Sequence, residues 1–189
     1  MARVAAGDQQ AFAALVTAHG PRVRALALRQ LRSAAEADDV AQDAFAAVWT
    51  RADRFDPARG TFRAWLYRIV ANRCLDRQRW RVRWRMSGDE ALESRASAEA
   101  GPARQTAGRD ALARAGAAIR GLPKRQRLAL LLSVVSGLST AEIAEALGSS
   151  PQAAEQVLVR ARRSLRRQAE TEGWADSTAV PPTPDAGPP

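Results

Sequence analysis

Leu138-Ser139-Thr140-Ala141-Glu142-Ile143-Ala144-Glu145-Ala146-Leu147-Gly148-Ser149-Ser150-Pro151, continuing through Gln152–Arg167, decides the fold. Ser139 is a strong helix N-cap, and Glu142 three residues later completes a capping box. Ile143, Ala144 and Leu147 recur at helical spacing. Gly148 suits the left-handed residue just past a helix end. Ser150 caps a second helix, with Pro151 at its first position, where the missing N–H costs nothing. A capped helix, a glycine turn and a second capped helix predict a helix-turn-helix. The second helix of such a unit commonly enters the major groove of DNA.

Ala154, Leu158, Ala161 and Leu165 share one face of that second helix and predict its buried seam. Gln152, Ala153, Gln156, Arg160 and Arg163 then lie away from the seam. Arg160, Arg162, Arg163, Arg166 and Arg167 cluster toward the helix end. Cations there suit phosphate contact, which positions a protein on DNA without reading its sequence.

The 189 residues suffice for one large or two small domains. The net charge is +9, with Lys124 the only lysine, and the pI is about 11.3. Basic excess favours a polyanionic partner, although an arginine-rich codon bias would produce the same excess. Cys74 and His19 are the only residues of their types. An internal disulfide is thereby excluded, a Cys/His zinc site is not expected, and no cofactor is called for. Cys74 reads as a small core residue. No apolar run approaches the roughly 20 residues of a membrane helix, and no signal-peptide core is present. A soluble, cytoplasmic chain with no membrane insertion is expected.

Helical patterns dominate, so the class is all-α. Phe12, Leu15, Val16, Val23, Leu26 and Leu31 form the stripe of a first helix, with a kink or break predicted at Gly20-Pro21. Glu36–Ala52 is a second helix, its acids near the positive end and Arg51 near the negative end. Asp56-Pro57 and Gly60 make residues 54–60 a loop. Thr61 to about Trp80 is a third helix. Residues 86–108, rich in Ser, Ala, Glu and Gly, read as a flexible linker. Helices resume at about Arg109–Arg120 and Lys124–Ser136, before the helix-turn-helix. Five prolines after Gly173 predict a disordered tail over residues 171–189. The expected organisation is two small helical domains, residues 7–85 and 109–170, joined by that linker.

Two N-terminal stretches carry more chemistry. Asp39, Gln42 and Asp43 share one helical face and Val40, Ala44 and Val48 another. Like charges at i, i+4 cost a few tenths of a kcal/mol, and a face that carries this cost suits a basic partner. Two carboxylates alone would sooner mark a solvated face, and no histidine, metal cluster or glycine-rich loop accompanies them for catalysis. The loop Phe55–Gly60 with the helix after it suits single-stranded DNA, which is held by aromatic stacking and a cationic groove. Asn72 offers a donor and an acceptor to a base edge. Arg63, Arg68, Arg73 and Arg77 line a phosphate track. Phe62, Trp65 and Leu66 read as core, while Tyr67 falls off their stripe and is the better stacking candidate. Arg77–Arg85 alternates arginine with apolar residues in period two, yet Trp80 and Trp84 at i, i+4 suit a helix fraying into the linker.

Leu122-Pro123-Lys124-Arg125-Gln126-Arg127, Gly137-Leu138-Ser139, Ala141-Glu142-Ile143-Ala144 and Arg160-Ala161-Arg162-Arg163, in that order and spacing, resemble region four of the bacterial extracytoplasmic-function (ECF) sigma factors. Asp38-Asp39-Val40-Ala41-Gln42-Asp43-Ala44-Phe45 with Val48-Trp49 resembles sigma region two. Phe55 through Asn72 is similar to the segment that holds the melted minus-ten strand. The resemblance implies core RNA polymerase as partner, contacted at its clamp and flap, together with promoter DNA and an anti-sigma factor. It places clamp docking on Asp39, Gln42, Asp43 and Trp49. Minus-ten contacts fall to Asp56, Arg59, Arg63, Tyr67, Arg68, Asn72, Arg73 and Arg77. Minus-thirty-five contacts fall to Ser150, Gln152, Ala153, Gln156, Arg160 and Arg163. Where the family commonly has Gly-Thr-Val-Lys-Ser-Arg, this chain has Gln152-Ala153-Ala154-Glu155-Gln156-Val157. An acid near phosphates repels and valine cannot pair with guanine, so base reading falls mainly to Gln152, Gln156 and Ser150. The implied function is promoter recognition by a non-enzymatic sigma factor. A helix-turn-helix regulator that binds duplex DNA without polymerase is the alternative, and an enzyme acting on nucleic acid lacks its constellation.

Overall fold

The computed structural model describes residues 1–86 and 107–173, with side chains over 1–84 and 113–173. Eight α-helices occur among them: α1 (Ala2–Ala5), α2 (Gln9–Leu31), α3 (Ala34–Thr50), α4 (Phe62–Met86), α5 (Ala107–Gly121), α6 (Lys124–Val134), α7 (Thr140–Ala146) and α8 (Pro151–Thr171). No strand occurs among the described residues. Short 3-10 turns, Ala52–Arg54 and Pro57–Arg59, occupy the α3–α4 connection. The residues expected to form the linker lie outside the described part, except Met86 at the end of α4 and Ala107 and Gly108 at the start of α5. So does the expected tail beyond Gly173.

Caps fix the helix starts. Asp8 accepts from the Ala11 N–H at 2.9 Å and opens α2. Ser33 accepts from Glu36 at 3.3 Å and starts α3 two residues before the expected position. α2 is continuous through Gly20-Pro21, so the expected break does not occur. Proline deletes one backbone bond inside a helix, and a continuous packed face from Val23 to Leu31 holds the rest together. The Arg77–Arg85 run is helical, which extends α4 beyond Trp80.

α2, α3 and α4 enclose Val23, Leu26, Val40, Ala44, Val48, Leu66 and Val70, all fully buried. α6, α7 and α8 enclose Leu128, Leu132, Ile143, Ala154 and Leu158 in the same way. The two halves share one contiguous apolar cluster. Their seam also holds a polar network. Gln30 donates to the Lys124 carbonyl at 3.3 Å, and Gln78 donates to the Gln30 carbonyl at 3.0 Å. Arg127 donates to the Gln30 side chain at 3.2 Å and the Arg120 carbonyl at 2.9 Å. Burial pushes the Arg127 guanidinium below its ordinary value, with nearby Arg32 adding to the effect.

Candidate nucleic-acid interface

Three surfaces follow from this packing. The first is the outer face of α3. Val40, Ala44 and Val48 point into the core and leave Asp39 and Gln42 exposed, with Asp43 half-exposed. Arg24 pairs with Asp38 at 2.5 Å. Arg77 of α4 lies 3.3 Å from Asp39 and 3.9 Å from Asp43. Arg77 was expected on the phosphate track; its helical register instead turns it toward the α3 acids, whose mutual repulsion it relieves. Trp49 is half-buried, edge-on to Phe12 with ring centroids 5.0 Å apart, so much of its surface is committed to α2.

The second surface is the loop and the α4 face. Asp56 accepts from the Ala58 N–H at 2.9 Å and fixes the 3-10 turn. Arg59 is exposed at the turn's end. Phe55 tilts onto Trp65 at 5.6 Å and meets Phe62 edge-on at 6.2 Å. These rings, with the fully buried Leu66, pack the loop onto α4, as expected for core residues. Beside them a shallow cleft of about 260 Å³ runs between α3 and α4, lined by Ala47, Arg51, Ile69, Asn72, Arg73 and Asp76. It brings together amide, guanidinium and carboxylate groups. Arg68, Asn72 and Arg73 are exposed along α4. Sequence reasoning missed Arg51 and Asp76. Asp76 is one helical turn beyond Asn72, a spacing that pointed to it, whereas Arg51 reaches the cleft only through tertiary packing.

Two further candidate strand-contact residues lie in the seam. Tyr67 is 1% exposed and is not a stacking platform in this packing. It falls off the α4 stripe that faces α3 only to face the C-terminal half. Its hydroxyl is buried beside that of Ser136, and burial raises the phenol above its ordinary value against the opposing effects of the Ser136 hydroxyl, Arg22 and Arg63. Arg63 does not face solvent phosphates. It donates to the Ser136 and Gly137 carbonyls at 2.8 and 2.7 Å, which closes the end of α6. Thr61 donates to Glu142 at 2.9 Å, and Gly60 approaches the Glu145 carboxylate. The first turn of α4 is therefore covered by α7 and the turn that precedes it.

The third surface is α8. The capping box at Ser139 forms as expected, with Glu142 accepting from the Ser139 N–H at 3.0 Å. Gly148 adopts φ of +60°. Ser150 accepts from the Ala153 N–H at 3.2 Å, so its oxygen serves as a cap. Ala154, Leu158 and Ala161 are buried and Leu165 half-buried. Gln152, Gln156, Arg160 and Arg163 are exposed and Ala153 half-buried, a mostly polar and basic helix face interrupted by the exposed Val159 and bordered by Glu155. Among the described residues no group of side chains could hold a metal ion, and no helix is long and apolar enough to cross a membrane.

Residues 15–85 match the model for Sigma-70 region 2 and residues 112–165 that for Sigma-70, region 4. The chain is 39% identical over 171 residues to the RNA polymerase sigma factor CnrH of Cupriavidus metallidurans, covering 87% of this chain and 89% of that one. It is 36% identical to the ECF RNA polymerase sigma factor SigD of Mycobacterium tuberculosis, covering 88% and 79%. In structure it is similar to CnrH in complex with the cytosolic domain of CnrY, with a TM-score of 0.68, 32% identity, and 90% and 95% of the two chains covered. The sigma factor RpoE in complex with the anti-sigma factor NepR from Bartonella quintana also gives 0.68, at 25% identity, covering 86% and 99%. The chain belongs to the extracytoplasmic-function group of sigma-70 family RNA polymerase sigma factors.

Proposed function

We propose that this sigma factor docks on the polymerase clamp through the α3 face and holds an unpaired minus-ten base in the α3–α4 cleft. α8 lies in the major groove at minus thirty-five, and the C-terminal half contacts the flap. The observation that carries this reading is the joining of the two N-terminal surfaces on one helix pair. Asp39 and Asp43 line the outside of α3, and Asn72, Arg73 and Asp76 line the cleft that α3 forms with α4. Base capture in such a cleft supplies free energy for strand opening. The chain itself makes and breaks no bonds; polymerase does the chemistry. It works in the cytoplasm.

The closed seam is the resting form on this reading. A compact chain of this length has a radius of gyration of about 16 Å. The promoter elements are separated by about 25 base pairs, or roughly 85 Å of duplex at 3.4 Å per pair. Both ends are reached only when the halves separate and uncover Arg63 and Tyr67. The solved relatives in complexes with CnrY and NepR support an anti-sigma factor as a further partner.

Reconstitution with core RNA polymerase tests the proposal. Promoter-specific initiation that requires this chain is the expected result. Absence of any association with core, together with tight duplex binding by the chain alone, would replace it with a polymerase-independent regulator.

A further inference from the structure

Near its C-terminal end α4 carries two tryptophans one turn apart. Trp80 and Trp84 stack on each other, with ring centroids 5.1 Å apart and planes 28° from parallel. They remain 50% and 37% exposed. Lone exposed apolar residues are ordinary surface, whereas large contiguous apolar patches mark binding sites, and the two indoles in contact form one continuous patch. The other side of the same helical turns is anchored. Gln78 donates to the Gln30 carbonyl at 3.0 Å. Arg81 donates to the Leu31 carbonyl at 3.0 Å and grips the Glu36 carboxylate. The rings therefore stand on a helix held in place at these turns, which lowers the ordering cost when something lands on them.

The surroundings define the chemistry of the occupant. Arg79 and Arg83 flank the rings in exposed positions. Flat aromatic faces among cations select a polyanion with flat rings, which is nucleic acid. In a duplex the base faces are covered by their neighbours, so stacking on a side chain needs an unpaired strand. The platform also continues the cleft. Asp76 lines the cleft and pairs at 3.1 Å with Arg79, the residue beside Trp80. Asn72 and Trp80 are about 12 Å apart along the axis at 1.5 Å per residue. That equals roughly three to four nucleotides of stacked strand at 3.4 Å each.

We infer that Trp80 and Trp84 form a stacking platform for an unpaired base of the same DNA strand that enters the Asn72 cleft. The stacked base lies about three to four nucleotides from the cleft base, with Arg79 and Arg83 on the intervening phosphates. The inference rests on the strand-binding reading of that cleft.

The test uses holoenzyme assembled from core RNA polymerase and the full chain. The probe is a fork-junction DNA selected by that holoenzyme from a random-sequence library, with a single abasic site walked along the unpaired strand. For the wild type, an abasic site three to four nucleotides from the cleft base lowers affinity about tenfold, within the range of one lost stack. Holoenzyme with Trp80→Ala and Trp84→Ala binds the intact fork about tenfold more weakly and loses nothing further at that abasic site. Phenylalanine at both positions restores most of the affinity. Equal abasic penalties in wild type and the double-alanine variant overturn the platform, and so does an unchanged affinity for the intact fork. A double-alanine chain that no longer associates with core makes the pair a protein contact and also overturns it. Asn72→Ala run in parallel separates the two readings. Wild-type affinity in that variant removes the cleft, whereas wild-type affinity in the tryptophan variant alone removes only the platform.

Discussion

Arg77 of α4 lies between Asp39 and Asp43 of α3, with one guanidinium nitrogen 3.3 Å from the first carboxylate and the other 3.9 Å from the second. The three side chains are 36%, 55% and 45% exposed, so solvent screens them and the contacts contribute little to stability, in the range of about 0–1 kcal/mol. Their worth lies in presentation. The cation holds two like charges one turn apart, on the surface proposed for the clamp. Replacing both acids, Asp39→Arg and Asp43→Arg, leaves the helical fold intact and lowers affinity for core RNA polymerase at least tenfold. Fluorescence anisotropy of the labelled chain titrated with core reads this directly. Unchanged affinity removes α3 as the docking face.

Asn72 separates strand capture from docking. Its side chain is exposed in the α3–α4 cleft and does not pack against the core. Asn72→Ala is therefore expected to leave core affinity within twofold of wild type and to reduce open-complex formation roughly five- to tenfold, the cost of about one hydrogen-bonded contact. Permanganate reactivity of unpaired thymines at a promoter recognised by the holoenzyme measures opening. Equal reactivity would show that the cleft does not hold a base.

The fold was legible where local chemistry dictates it. Ser139 with Glu142, Gly148, and Ser150 with Pro151 each satisfy orphan helix-end groups by themselves, and all three form. The spacing of Val40, Ala44 and Val48 placed the α3 core face, and hence the acids opposite, without knowledge of any partner element. Legibility failed where a residue's environment comes from a distant segment. Tyr67 and Arg63 sit on the polar side of α4 as judged within that helix, yet Ser136 and Gly137 are more than 60 positions away and close over them. Arg51 likewise enters the cleft only because α3 lies against α4. Pro21 shows the reverse, a local helix breaker overruled by the packed face that follows it, from Val23 to Leu31.

Cys74 supplies a clean probe of core integrity. It is fully buried in the N-terminal core, and burial, with Glu36 adding to it, pushes its thiol up to about 12. The thiolate is the reactive species, so at pH 8 the folded chain is inert to a thiol-disulfide reagent over minutes. Reaction is expected to accelerate by more than a hundredfold in denaturant. A fast reaction in native buffer would place Cys74 at the surface and contradict the packing of α4 onto α3.

The seam is expected to depend on pH through Glu142. Burial raises its pKa, but the Ser139 N–H, the Thr61 hydroxyl, the Ser139 hydroxyl and the charge of Arg63 together lower it further, so the net shift is downward. Thr61 and Arg63 belong to the N-terminal half, and their share of the shift exists only while the halves are packed. Where the Thr61 bond and the Arg63 charge outweigh the burial that closure adds, the carboxylate has a lower pKa in the closed form than in the open one. By linkage, the stabilisation is fully present above the open-form value and is lost as pH falls through the closed-form value. The closed population is expected to stay constant from pH 7 to about 5 and to decline below the ordinary carboxylate value near 4.5. Energy transfer between dyes on engineered cysteines in α3 and α8 reads the separation, with Cys74 inert. Glu142→Gln retains an acceptor but no titrating charge, so it weakens closure at neutral pH and flattens the acid limb. An acid transition of equal size in that variant would assign the pH dependence to another group and leave the Thr61–Glu142 contact without a role in closure.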